Sequence, residues 1–224
     1  MKEPWKITYF IMFRFLRRLM WVYFVIFHKL KFINTNKVPK KGGLIVMPNH
    51  ASYFDPPTAG ALGFKRNCRF MARDTLFKNK IFGWTIGNLG AFPVKRGRVD
   101  RGAWDKFIEL VKAGWAVMFF PEGTRTLTGE IQDGKPGTGM LVYQTKGKVL
   151  PVYIHGAFEA WPKGGKPKLF TPITIVYGDV MSFDDLFEKP EGREVYEEIT
   201  ARIINRLREM KADYLKNQGD KTNS

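Results

Sequence analysis

Two short apolar runs, Leu44-Ile45-Val46-Met47 and Ala116-Val117-Met118-Phe119-Phe120, each stop at a proline, Pro48 and Pro121. Unalternating runs of this length, closed by a breaker, read as buried strands. Each hands the chain to a polar loop. Further strands are expected over 69–72, 91–94, 149–154 and 173–177. Between them the apolar spacing turns helical. Ala103, Trp104, Phe107, Ile108 and Val111 place a helix over 99–112, stopped by Gly114. A short helix is expected over 140–144. A last helix, over 193–215, carries the stripe Val195, Ile199, Ile203, Leu207, Met210 and Tyr214. Strands alternating with helices predict one α/β domain, with a mixed, largely parallel central sheet flanked by helices. The chain divides into an N-terminal helical segment over 1–36, the α/β domain over 37–216 and a polar tail over 217–224.

The charge narrows the partners. The 224 residues hold 37 Lys and Arg against 21 Asp and Glu, a net charge of +16. Such a surplus favours anionic partners: nucleic acid, an anionic membrane or phosphorylated metabolites. More than half of it sits in residues 1–41, which have ten bases and one acid. That stretch is also rich in aromatic residues, including Trp5, Phe13, Trp21, Tyr23, Phe24 and Phe27. Nucleic-acid arms are basic and polar. Basic, aromatic and aliphatic together fit a membrane interface.

Its uncharged runs, 7–13 and 19–27, are separated by Arg14, Arg17 and Arg18. Neither reaches the roughly 20 residues that a spanning helix needs. At 100° per residue, Arg14, Arg17, Arg18, His28 and Lys29 gather on one side, and Leu16, Leu19, Tyr23, Ile26, Phe27 and Leu30 on the other. The segment reads as one amphipathic helix, or two, lying in the bilayer surface. Packing on its own domain is the competing reading. A small-residue cleavage site is missing, which argues against a removable signal peptide. The lone Cys68 can form no internal disulfide and points to a reducing compartment.

Candidate chemistry lies in loops after strands, where α/β sites are built. His50 and Asp55 stand five residues apart in Pro48-Asn49-His50-Ala51-Ser52-Tyr53-Phe54-Asp55. A carboxylate at one imidazole nitrogen makes the other a general base. Ser52 is close, but nothing in the spacing makes it a nucleophile. The base would instead activate a hydroxyl supplied by the substrate. A second cluster, Glu122-Gly123-Thr124-Arg125, follows the 116–120 run. Gly123 permits close backbone approach, and the Arg125 fork suits phosphate oxygens. Glu122 is expected to bind a substrate hydroxyl or to hold the arginine. Lys95 and Arg96 form a third cationic group, and Lys135 adds another. Of the other histidines, His28 reads as an interfacial cation or a bystander, and His155 as a satisfied structural residue. Neither a cysteine cluster, nor H-E-x-x-H, nor a phosphate-binding P-loop, nor G-x-G-x-x-G occurs, so no metal or nucleotide cofactor is expected.

These blocks, in order, resemble the glycerolipid acyltransferase family. Asn49-His50 through Asp55 fits its H-x4-D motif. Gly90-Ala91-Phe92-Pro93-Val94-Lys95-Arg96 fits its second block. Phe120-Pro121-Glu122-Gly123-Thr124-Arg125 fits the third, and Val149-Leu150-Pro151-Val152 the fourth. The resemblance implies transfer of a fatty acyl group from a thioester of acyl carrier protein or coenzyme A to the 2-hydroxyl of lysophosphatidic acid, giving phosphatidic acid. His50 and Asp55 would be catalytic. Arg96, Glu122, Gly123, Thr124 and Arg125 would hold the glycerol phosphate, with Lys95 and Lys135 nearby. The expected place is the cytoplasmic face of the cell membrane, peripheral or monotopic, among its phospholipids. The alternatives are a sister acyltransferase taking glycerol 3-phosphate or another lysolipid, and a basic membrane-binding protein without catalysis.

Overall fold

The structure, a computed structural model, describes residues 7–62, 66–95 and 100–222. Seven strands among them form one sheet. They are β1 (Lys31–Ile33), β2 (Leu44–Pro48), β3 (Cys68–Arg73), β4 (Ala91–Val94), β5 (Ala116–Met118), β6 (Lys148–His155) and β7 (Thr174–Tyr177). Their spatial order is β1-β7-β6-β2-β5-β3-β4. Every neighbouring pair is parallel except β6 and β7, so the sheet is mixed and mostly parallel, as the alternation of elements predicts.

β2 shows why the sheet must be covered twice. All of its side chains are buried. Leu44 and Val46 join one core cluster, and Ile45 and Met47 join the other. The helices are α1 (Ile7–His28), α2 (Lys80–Asn88), α3 (Arg101–Lys112), α4 (Pro136–Thr145), α5 (Ala157–Ala160), α6 (Asp184–Phe187) and α7 (Arg193–Thr222). The first face packs against Phe24 of α1, Ala59 of a π-helical turn (Pro56–Leu62), and Leu89 and Ile86 at α2. The second packs against Phe107 and Val111 of α3, Leu141 and Val142 of α4, and Ile199, Ile203 and Leu207 of α7. The expected stripe of α7 is thus its buried face. Asp100 caps α3 by accepting from the Ala103 amide at 3.3 Å.

The described part of the N-terminal segment packs into this domain. α1 is one continuous helix, and both Phe24 and Leu30 lie in the first core cluster. β1 runs parallel to β7, so the sheet crosses the boundary placed at residue 36. Three residues with exposed or half-buried side chains give no apolar run to announce that strand. His28 corrects the expectation of an interfacial cation. It is fully buried, with Nδ1 3.0 Å from the Thr171 carbonyl oxygen and Nε2 3.5 Å from the Tyr23 hydroxyl. The helix has an apolar face on either side of it. Met20, Tyr23 and Phe24 turn to the core, while Phe15, Leu19, Val22 and Ile26 stay exposed. No helix among the described residues is long and apolar enough to cross a membrane.

Other elements extend or depart from the expected ones. α7 continues past Leu215 to Thr222, through the segment read as a polar tail. β5 stops at Met118, so Phe119 and Phe120 already belong to the loop. α4 begins four residues before Met140, with Pro136 opening it. Its glycines look like loop residues in sequence but serve close packing. A Cβ on Gly139 would overlap the Tyr196 carbonyl of α7, and one on Gly137 would stand 2.6 Å from the Trp104 ring. The Gly139 amide also donates to Thr200 Oγ1 at 3.0 Å. Gly139→Ala is therefore expected to force α4 and α7 apart and to cost about 1–3 kcal/mol, as overpacking does. Urea unfolding of the variant against the parent protein measures it.

Candidate active site

β2, flanked in the sheet by β5 and β6, ends beside the start of the β5–α4 loop. This is the carboxyl edge of a parallel sheet, where open α/β folds place their ligands. Asn49 continues the pairing after β2 has ended. Its Nδ2 donates to the Ile154 carbonyl at 3.2 Å and its Oδ1 accepts from the Ile154 amide at 2.7 Å. The side chain thereby imitates one more step of the ladder and fixes where His50 leaves the sheet.

His50 is 7% exposed. Its Nδ1 lies 2.9 Å from Asp55 Oδ2, and its ring stacks on Phe120 at 3.8 Å between centroids. A carboxylate can only accept, so the proton belongs on Nδ1 and the lone pair on Nε2. Asp55 is fully buried and is held by the turn it closes. The same Oδ2 accepts from the amides of Ala51 and Ser52, both at 2.7 Å. Below it, Thr58 Oγ1 donates to the Phe54 carbonyl at 2.7 Å, which ties the π-helical turn to the loop.

The second loop is bonded to the backbone of the first. Glu122 Oε1 accepts from the His50 amide at 2.6 Å, and the Thr126 amide donates to the His50 carbonyl at 2.9 Å. The other carboxylate oxygen of Glu122 accepts from the Gln132 amide at 3.0 Å and from Gln132 Nε2 at 3.3 Å. Burial pushes the Glu122 carboxyl above its ordinary range, against the pull of the amides of His50 and Gln132. The carboxylate is thus engaged with main-chain donors rather than with Arg125, where the sequence alone had room for either a hydroxyl or the arginine.

Arg125 lies instead over the Tyr53 ring, its guanidinium carbon 3.6 Å from the centroid. Tyr53 leans on Trp161 at 4.8 Å. Gly123 takes the left-handed conformation, φ +69°, at an exposed turn beside the stem of Lys135. Thr124 is half-buried, and its carbonyl accepts from Gln132 Nε2 at 3.3 Å. Lys95 is exposed, with its amide on Asp100 Oδ2 at 2.8 Å. Arg96 lies outside the described residues. Ser52 faces away from a nucleophile's part, since its hydroxyl donates to the Trp161 carbonyl at 2.8 Å. His155 is structural, as expected, with Nδ1 3.2 Å from the Tyr153 hydroxyl and its ring 4.8 Å from that of Tyr214. Among the described residues no group of three His, Cys, Asp or Glu could hold a metal ion.

The structure therefore brings together His50, Asp55, Glu122 and Arg125 from two loops. It adds Asn49, Phe120, Tyr53 and Gln132, whose roles the sequence left unread. The first three stand inside the quoted motifs. Gln132 carried no signal, because its partner is ten residues away across an irregular loop.

Residues 29–155 match the family model described as Acyltransferase. The chain belongs to this acyltransferase family. Relatives named 1-acyl-sn-glycerol-3-phosphate acyltransferase include one from Bacillus subtilis, 27% identical over 81% of this chain and 87% of that protein. Another, from Streptococcus pneumoniae, is 30% identical over 55% of this chain and 46% of that protein. The chloroplastic BAT2 enzyme of Brassica napus is 31% identical over 54% of this chain. The chain spans 36% of that relative's length. The crystal structure of the 1-acyl-sn-glycerophosphate (LPA) acyltransferase PlsC from Thermotoga maritima superimposes with a TM-score of 0.64 at 27% identity, over 89% of this chain and 79% of that one.

Glu122→Gln replaces a carboxylate oxygen by an amide that faces a donor. The variant is expected to lose about 1–3 kcal/mol of stability, the cost of an unsatisfied buried group. Its pH dependence has a sign. The folded state binds the Glu122 proton more tightly than the unfolded chain does, so this contribution to stability is full below the ordinary carboxylate pKa. It declines as pH rises through the folded value. The gap between parent and variant should narrow in that direction, as chemical denaturation at several pH values would measure.

Proposed function

We propose that this acyltransferase moves a fatty acyl group from an acyl thioester to the sn-2 hydroxyl of 1-acyl-glycerol 3-phosphate. The donor is a thioester of acyl carrier protein or of coenzyme A, and the product is phosphatidic acid. The observation that carries the reading is the His50–Asp55 pair, Nδ1 to Oδ2 at 2.9 Å, held by the Glu122 loop. The names of the relatives, including one aligned over 87% of its length, support the acceptor.

In this mechanism the acceptor hydroxyl gives its proton to His50 Nε2 as its oxygen attacks the thioester carbonyl. A tetrahedral oxyanion forms. It collapses with cleavage of the carbon–sulfur bond, and the departing thiolate takes the proton from the imidazolium. Asp55 keeps the imidazole in the useful tautomer and stabilises its charged form. No acyl-enzyme is required. Arg125 grips the acceptor phosphate with its fork, joined by Arg96, Lys95, Lys135 and the Gly123-Thr124 turn. Glu122 acts as a positioning residue through its bond to the His50 amide. Holding hydroxyl and thioester in register supplies a large share of the barrier reduction, about 7–11 kcal/mol for well-oriented reactants.

Both acceptor and product carry acyl chains that belong in a bilayer. The exposed stripe Phe15, Leu19, Val22 and Ile26 of α1 rests on the cytoplasmic leaflet as a peripheral contact, with Arg18 and Lys29 at phosphate level. The site then opens close to the plane where its substrates lie.

His50→Ala is expected to lower turnover of thioester with lysophosphatidic acid by about 10²–10⁴-fold, the usual worth of a general base, with vesicle binding retained. A fall of under about tenfold rejects the base assignment. A basic membrane-binding protein without catalysis predicts no thioester consumption in either form. Arg125→Lys keeps the charge but loses the fork and the stacking on Tyr53. It should raise the acceptor KM with little change in the donor KM. A panel of acceptors, glycerol 3-phosphate included, with one labelled donor checks the acceptor class.

A further inference from the structure

α2 carries its apolar residues on the outside. Ile81 is 80% exposed, Trp84 52% and Phe82 48%. Leu76, in the 3-10 turn just before it, is exposed as well. The helix cannot roll to bury them. Gly83 sits so close to that turn that a Cβ there would stand 2.8 Å from Phe77 Cα. Asn79 pins the first turn by accepting from the Phe82 amide at 3.0 Å, and Ile86 and Leu89 are committed to the core. A four-residue apolar patch is thus held rigidly toward solvent. Arg73, Lys78 and Lys80 flank it along the chain, all exposed, and Asp74 is the one acid of the stretch 73–84. Aromatic and aliphatic tips flanked by cations suit the acyl and phosphate layers of an anionic leaflet.

Its place in the fold fits the same partner. α1 and α2 both pack into the first core cluster, so they cover one face of the sheet. α1 leans on Phe54, and α2 stands over β4 at the far edge. The π-helical turn that follows Asp55 lies between them in that layer, against α1 on one side and β3 on the other. We infer that the Leu76–Trp84 patch of α2 is a second bilayer contact, so that the enzyme rests on the leaflet at two points flanking the turn that leads out of the His50–Asp55 loop. One anchor would leave the domain free to swing about α1. Two fix the side of the sheet that faces the lipid. The inference rests on the membrane reading of α1, but the two can fail separately.

The full-length protein is given one reactive thiol at a time, Leu19→Cys on α1 or Ile81→Cys on α2, and labelled with an environment-sensitive fluorophore. Cys68 stays unlabelled in the folded protein, because it is buried and burial pushes its thiol up to about 12. Vesicles of phosphatidylcholine containing phosphatidylglycerol, with and without lipid-borne nitroxide quenchers, are then added. Blue shift and quenching at position 81 are expected. A response at 19 without one at 81 overturns the second contact and leaves the α1 docking standing. No response at either position overturns both. A response at 81 alone supports the α2 contact but rejects α1 and with it the two-point seating. Concentration-dependent dimerisation without lipid that shields the label at 81 assigns the patch to a second copy and also overturns the inference. In a second arm, Ile81→Glu with Trp84→Glu should weaken vesicle partitioning by roughly tenfold per side chain or more, from the lost apolar burial. Acyl transfer to a detergent-dispersed acceptor should stay unchanged, which also shows that the variant is folded. Unchanged partitioning rejects the proposal.

Discussion

A buried carboxylate that accepts main-chain hydrogen bonds is the joint on which the site depends. Glu122 takes the amide of His50 on one oxygen and two donors of Gln132 on the other. Neither loop has regular structure at this point. The bond is short and shielded from water, where charge-assisted hydrogen bonds gain most. Thr126 completes it by returning an amide to the His50 carbonyl. The backbone of His50 is therefore clamped on both sides, while its ring is set by Asp55 and Phe120. The position of the His50 backbone and the location of the Glu122–Arg125 loop are consequently one geometric variable.

The sheet supports this joint by being buried on both faces. Its second face is covered by α3, α4 and α7, and the stripe of α7 is buried there. Its first face is covered by elements that do two things at once. α1 fills the core with Phe24 and offers Leu19 and Ile26 outward. α2 does the same with Leu89 just beyond its end and Trp84 on its surface. A chain that shows apolar residues all round a helix is difficult to sort into inside and outside, because both sides are apolar for different reasons.

That difficulty explains what the sequence revealed and what it hid. Strands β2 and β6 were legible because their runs are uniformly apolar and closed by breakers. The His50–Asp55 pair was legible because both partners lie in one short turn. His28 misled because helical geometry alone placed it with Arg14, Arg17 and Arg18, whereas Thr171, 143 residues away, gives it a buried partner. α2 was missed because two glycines interrupt it and its apolar residues do not face a core. The glycines of α4 read as loop because a close helix–helix approach looks the same as flexibility in composition. Glu122 stands in the third block, but its partners are the His50 and Gln132 amides and the Gln132 side chain, none of which the sequence signals.

One feature of the topology bears on biosynthesis. Among the described residues β1 pairs with β7 at the sheet edge and His28 meets Thr171, so part of the seat of α1 is built from residues about 140 positions downstream. A ribosome extrudes α1 long before that part of its seat exists. Contacts of such sequence separation close late. For much of translation α1 lacks those partners, and on the proposed membrane reading a leaflet can take up its exposed apolar side first. Membrane capture would then precede completion of the fold, and the domain would assemble already tethered to the compartment that holds its lipid.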